Sequence, residues 1–443
     1  MRNDDDRQEA GLRVSPSAAR FGLFILFLVA CLNYLDRYII SILMEPIRLE
    51  FALTDTQIAF LSGFVFAVFY ATLGLPLARY ADRGNRRKLL SIALGLWSTM
   101  TALGAAATGF WTLLLARIGV GVGEAGAAPA SHSLIADYFP PERRGSALGI
   151  LSAGGTVGFL LAFILGGLVA QAYGWRWALL VAGIPGILVA IVVWIAQPEP
   201  RDLQPLPKAS VSGSALADFH LLWKDPAYRH LIYASTLWMF VGYGAVQWVS
   251  AFFMRVHGLT VGEVGIYYGT VGAAATLVGA LGGGILADRL AKKSLVLLAT
   301  FPAVACIAAY PLQLPVFMLS HVPTILACSF IAGLVLSAAV PAMYAVFHAI
   351  LPDRLRGFGI AFLLFIGNFV GLGFGPLILG MISDALTPHY GNDGLRFALI
   401  GVYAVLIWAG LHYLLAARHI RNAKFNGAGG PPTPQGAAQT EVG

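Results

Sequence analysis

The chain has 443 residues, of which 58% are hydrophobic and only 12% charged. Soluble domains carry nearer a quarter charged residues, so a water-facing surface is excluded for most of this chain and a lipid solvent is implied. The net charge of +7 raises nucleic acid as a partner, but the Lys and Arg are placed as membrane topology places them, and no nucleic-acid partner is expected.

A polar arm, 1–20, precedes an apolar run that begins at Phe21 and lacks a small-x-small cleavage pattern, so it reads as a retained helix and not a signal peptide. A spanning helix needs about 20 mostly apolar residues. Twelve such runs lie at roughly 21–44, 56–79, 87–107, 111–136, 144–171, 176–196, 230–254, 261–286, 294–312, 322–349, 357–383 and 395–418. Joints carry turn signals such as Pro140-Pro141 and Thr387-Pro388. With both termini cytoplasmic, 23 of the 29 Lys and Arg fall on cytoplasmic segments. Four (Arg48, Arg176, Arg255, Arg396) fall outside and two (Arg37, Arg117) lie within spans. That bias sets the orientation. The spans form a first bundle over 21–196 and a second over 230–421. The linker, 197–229, holds Pro198, Pro200, Pro205 and Pro207, then an amphipathic stretch around Phe219, Leu222 and Trp223 expected on the membrane surface. The tail, 422–443, is rich in Gly, Pro and Gln and is expected to be disordered. Cys31, Cys306 and Cys328 have no metal-type spacing and imply neither disulfides nor a metal site; no cofactor is expected.

The halves echo each other. Asp82-Arg83-Gly84-Asn85-Arg86-Arg87-Lys88 follows span two, and Asp288-Arg289-Leu290-Ala291-Lys292-Lys293 follows span eight. Gly121, Pro129, Pro140, Arg144 and Gly145 have counterparts in Gly333, Pro341, Pro352, Arg356 and Gly357. A duplicated six-helix unit implies two bundles with a binding site near the bilayer midplane between them.

The Asp-Arg-x-x-Arg-Arg loop resembles the signature of the major facilitator superfamily, although Ala78 and Asn85 stand where that signature has glycines. Asn33-Tyr34-Leu35-Asp36-Arg37 and Gly121-Val122-Gly123-Glu124-Ala125 resemble the Spinster branch. The resemblance covers 21–418 and implies an all-α membrane protein: twelve transmembrane helices in two pseudo-symmetric six-helix bundles, both termini cytoplasmic. It also implies a cytoplasmic gate of Asp82, Arg83, Arg144, Asp288, Arg289 and Arg356, in which Asp82 faces the start of span eleven near Arg356 and Asp288 the start of span five near Arg144, latching that side in the outward-open state. A carboxylate at a helix N-terminus is favourable there.

Four ionisable residues lie deep in the first half: Asp36, Arg37, Arg117 and Glu124. A mid-bilayer charge costs roughly 2.5–3.5 kcal/mol, so such residues face a cavity and pair. Arg117 and Glu124, two turns apart, share one face of span four. Asp36 and Arg37 point about 100° apart and cannot both meet one partner squarely. With Asn33 these form the candidate substrate and proton site. The corresponding stretches 231–254 and 324–347 hold no charge, so the second half is apolar and aromatic. Asn368, Tyr243, Trp248 and Phe369 are candidate cavity-lining residues. The alternative role for the charges is a static ion network locking spans one and four. Glycines at helical spacing (Gly154 and Gly158; Gly367, Gly371 and Gly375) serve either tight packing or a hinge.

Gly121–Gly126 fits a dinucleotide fingerprint, but it follows no strand and sits inside a span. His132 and Asp137 have an acyltransferase-like spacing without a soluble domain around them, and no Walker loop is present. The expected function is therefore a secondary-active carrier working by alternating access. The Spinster resemblance implies a lipid-like or amphiphilic substrate, moved with protons or by facilitation. Short loops and the absence of glycosylation sequons in exposed loops point to a bacterial inner membrane, and a monomer is expected. A carrier of small organic anions is the alternative, followed by a membrane lipid-modifying enzyme or a sensor.

Overall fold

The computed structural model of the protein describes residues 14–202 and 215–425. Among them are twelve long helices and one short one. The first half comprises α1 (Pro16–Glu50), α2 (Asp55–Arg83), α3 (Arg86–Gly104), α4 (Phe110–Tyr138), α5 (Pro141–Tyr173) and α6 (Trp175–Ala196). A short α7 (Ala215–Lys224) follows. The second half comprises α8 (Pro226–His257), α9 (Val261–Lys293), α10 (Leu295–Met318), α11 (Val322–Ile350), α12 (Asp353–Tyr390) and α13 (Asp393–Phe425).

Eleven of these helices are long and apolar enough to cross a membrane. The exception is α3, counted among the twelve runs of the sequence. Its 19 residues begin Arg86-Arg87-Lys88, and Ser and Thr interrupt its middle, which lowers its hydropathy. It nevertheless packs between α4 and α6 inside the first half. The first helix begins at Pro16, five residues before the apolar run, because Ser15 caps it by accepting from the Ala18 amide. The predicted disordered tail lies outside the described residues except for its first four, 422–425, which continue α13.

Helix starts follow local chemistry. Thr54 and Gln57 form a capping box on α2, and Thr260 and Glu263 form one on α9. Asn85, one of the two residues that depart from the signature, caps α3 by accepting from the Lys88 amide. Gly258, at φ 66°, ends α8 in the left-handed conformation that glycine tolerates.

In lipid, helices gain little hydrophobic energy from each other, so small residues set how closely they pack. Gly154 brings α5 so near α1 that a methyl there would stand 2.7 Å from the Phe27 carbonyl oxygen. Gly375 does the same for α12 against the Phe240 carbonyl of α8, at 2.5 Å. Both glycine stripes therefore serve packing within a half.

Four helix pairs join the halves: α1 with α8, α5 with α9, α2 with α12 and, more lightly, α1 with α9. In the third, each helix carries one π-helical turn, Phe60–Phe64 in α2 and Phe369–Phe374 in α12. The two turns meet, with the rings of Phe64 and Phe374 edge to face at 5.3 Å. A π turn widens the helix by one residue and is often found where function needs an irregular backbone.

Candidate functional site

The four charges of the first half lie close enough to act on one another. Asp36 and Arg37 leave α1 in different directions, because consecutive residues on a helix point about 100° apart. Arg37 turns toward the seam between halves. It donates from Nη2 to Oε2 of Glu124 at 2.7 Å and from Nε to the same oxygen at 3.2 Å. It also donates to Oδ1 of Asn33, one turn earlier, at 3.3 Å. Its guanidinium lies 5.1 to 5.4 Å from the ring centroids of Tyr34, Phe66 and Tyr70, an aromatic cradle that favours a cation. Glu124 sits in the last turn of the first segment of α4, just before the backbone break at Ala125-Gly126.

Asp36 turns the other way, into the first half. It is fully buried beside Trp97 and Thr101 of α3 and Arg117 of α4. The Thr101 hydroxyl and the Trp97 indole are its nearest donors. Asn33 stands beside the Glu124 carboxylate as well as beside Arg37. Arg117 approaches the ring of Phe66, 5.6 Å from its guanidinium, and Arg37 meets that ring too. Four buried ionisable side chains in one small volume are costly in a membrane, which makes this group the candidate site.

The second half supplies a smaller polar patch across the seam. The Tyr243 hydroxyl donates to Oδ1 of Asn368 at 3.2 Å, linking α8 to α12. Tyr243, Asn368 and Phe369 are all partly exposed. Trp248 differs from its expected role. It is fully buried, donates its indole N–H to the Pro376 carbonyl at 2.9 Å and does not line the seam. Deeper along α1, the Ser41 hydroxyl donates to Oε1 of Gln247 at 2.5 Å and ties the halves together.

The gate pairs expected on the face that carries the termini are not brought together in this conformation. Asp82, Arg83, Asp288 and Arg289 are exposed. Arg356 pairs with Asp353 at 2.6 Å, one turn away. Arg144 donates to the carbonyls of Ala136 and Phe139, so it holds the end of α4. The buried partner in the signature loop is Arg86, which binds Glu199 at 2.5 Å and Asp137 at 2.7 Å.

The halves are instead latched on the opposite face, by residues that sequence reasoning passed over. Arg255, at the end of α8, grips Asp55 with two bonds of 2.7 and 2.8 Å and Glu45 with one of 2.6 Å. Asp384 of α12 accepts from the amides of Asp55 and Thr56, at the N-terminus of α2, and Ser383 donates to Asp55. The only sequence signal was that Arg255 belongs to the small set of arginines on that face, whose four members are all ion-paired here.

Two helical bundles, a charged seam between them and a latch on one face only define a membrane transporter of the two-bundle type. Residues 26–319 match the Major Facilitator Superfamily profile, and the chain belongs to that superfamily. It is similar to an MFS-type efflux pump of Mycolicibacterium smegmatis, 34% identical over 93% of this chain and 95% of that one. It is similar to the sphingosine-1-phosphate transporter of Danio rerio, 25% identical over 87% of this chain and 81% of that one. Among solved structures, a bacterial homolog of the human lysosomal transporter Spinster, inward-facing and unoccupied, superposes with a TM-score of 0.84. It is 30% identical and the match covers 92% of this chain and 99% of that one. The Spinster resemblance read from the motifs in α1 and α4 is thereby supported across the chain.

Proposed function

We propose that the chain is a secondary-active, proton-linked carrier for a lipid-like anion such as a lysophospholipid, a sphingolipid or a sphingoid phosphate. It works by alternating access, as a monomer in the inner membrane of a bacterium. The observation that carries this reading is the Arg37–Glu124 pair. A guanidinium sits in the seam, held by a carboxylate of its own half and cradled by rings, with aromatic surface beyond it. An anionic headgroup competes for the same donors. When it draws Arg37 away, Glu124 is left without its counter-charge and becomes a site for a proton. Asp36 and Arg117 lie within electrostatic reach of Glu124 and complete the exchange. The phenyl rings of Phe365, Phe369 and Phe374 offer the apolar surface that a tail needs.

The conformation supports the same cycle. The face opposite the termini is latched by Arg255 and the face bearing the termini is not. The Lys and Arg bias puts the termini in the cytoplasm, which makes this an inward-facing state, in keeping with the state of the solved Spinster homolog.

The test is uptake of labelled lysophospholipid into proteoliposomes, with and without an inward-acid gradient, in wild type, Glu124→Gln and Arg37→Ala. Gradient-driven flux that becomes gradient-insensitive in Glu124→Gln and is lost in Arg37→Ala is the expected result. An unchanged pH profile in Glu124→Gln would overturn the coupling role.

One observation favours a second reading. Tyr34, Tyr70 and Tyr243, with Asn368, line the seam with hydroxyl and amide groups that suit a small hydroxylated organic anion. Flux of a labelled sugar acid in the same vesicles, with no flux of any lipid, would put that reading first.

A further inference from the structure

We propose that the junction between the linker helix α7 and the start of α12 is a binding site for the headgroup of an anionic phospholipid of the bilayer, separate from the seam. One face of α7 is committed to the protein. Phe219 stacks on Trp223 at 5.2 Å, and both rings meet Phe362 of α12. Leu222, nearly buried, packs against Gly359. The opposite face is not committed. Leu216 and Leu221 are 65% and 51% exposed. Exposed leucines on a short helix lying at the ends of spans α8 and α12 belong at the depth where acyl chains meet headgroups.

Between this face and the start of α12 lies an open groove of about 630 Å³, lined by Leu216, Leu221, His220, Lys224 and Asp218 of α7 and by Arg354. Two permanent cations and a histidine stand there against one carboxylate. Asp218 reaches Arg354 only at 3.7 Å, and the Arg354 side chain is 75% exposed, so its donors are open to another anion. Cations over an apolar floor at interfacial depth match a phosphate headgroup with its chains running down beside Leu216 and Leu221. A bound lipid would join α7 to α12, the helix whose π turn meets α2.

The test uses the full chain in nanodiscs of phosphatidylcholine with a fixed fraction of bromine-labelled lipid, either phosphatidylglycerol or phosphatidylcholine. The readout is quenching of the emission that Trp223→Phe removes. Labelled phosphatidylglycerol is expected to quench it with an apparent affinity about fivefold above that of labelled phosphatidylcholine. Lys224→Gln with Arg354→Gln should bring that ratio close to one. Each single variant should lose part of it, which keeps the test open if the pair does not fold. Equal quenching by the two lipids in wild type, or a preference unchanged in the variants, would overturn the site. Neither result depends on what the seam transports.

Discussion

Arg37 places two of its donors on a single oxygen of Glu124, Oε2, at 2.7 and 3.2 Å, with Asn33 beside the pair. The pair is thus buried and bonded by the arginine through one carboxylate oxygen. The other oxygen can take a proton as the arginine leaves.

This asymmetry makes the pair's stability testable. Arg37→Ala would strand a buried carboxylate and is predicted to cost about 3–5 kcal/mol. Glu124→Gln added to it removes the stranded charge and should recover a large part of that loss. Thermal unfolding in detergent, run as a double-mutant cycle, measures the coupling. Purely additive losses would show that the two residues do not act as a pair.

Asp36 is predicted to govern proton coupling without touching the substrate. Asp36→Asn keeps the shape beside Trp97 and Thr101 but removes the charge. Substrate exchange between equally loaded compartments should persist, while accumulation driven by an inward-acid gradient should vanish. Loss of both would place Asp36 in substrate binding.

The latch on the face opposite the termini should set the resting conformation. Each bond from Arg255 to a carboxylate is worth about 2 kcal/mol, and 1.4 kcal/mol is a factor of ten in population. Arg255→Ala is therefore predicted to shift the balance between the two open states by at least tenfold. A cysteine at Ser41, beside the Gln247 contact, should become reactive to an impermeant maleimide added from that face. Unchanged labelling would mean the latch is dispensable.

Glu199 is predicted to matter for stability and not for turnover. Its carboxylate holds both the side chain and the backbone amide of Arg86, below the signature loop. Glu199→Gln should lower unfolding stability by about 3 kcal/mol, because Arg86 stays buried with only Asp137 as counter-charge. Flux per folded molecule should stay within twofold of wild type. A selective fall in flux would assign this strap a role in the cycle.

Hydropathy, charge bias and the internal echo determined the lipid environment, the twelve helical runs and the pairing of two similar halves, because each is written in a contiguous stretch of residues. Local signals also placed the buried quartet of charges. The partners of those charges were another matter. Nothing in the spacing of Asp36, Arg37, Arg117 and Glu124 says which faces the seam, since that depends on how α1 is rotated against α3 and α4. The latch joins Glu45 and Asp55 to Arg255, about 200 residues away, and the facing π turns of α2 and α12 arise only where two helices are pressed together. Which face is closed is decided by contacts distant in sequence, and only the tertiary structure brings those residues within bonding distance.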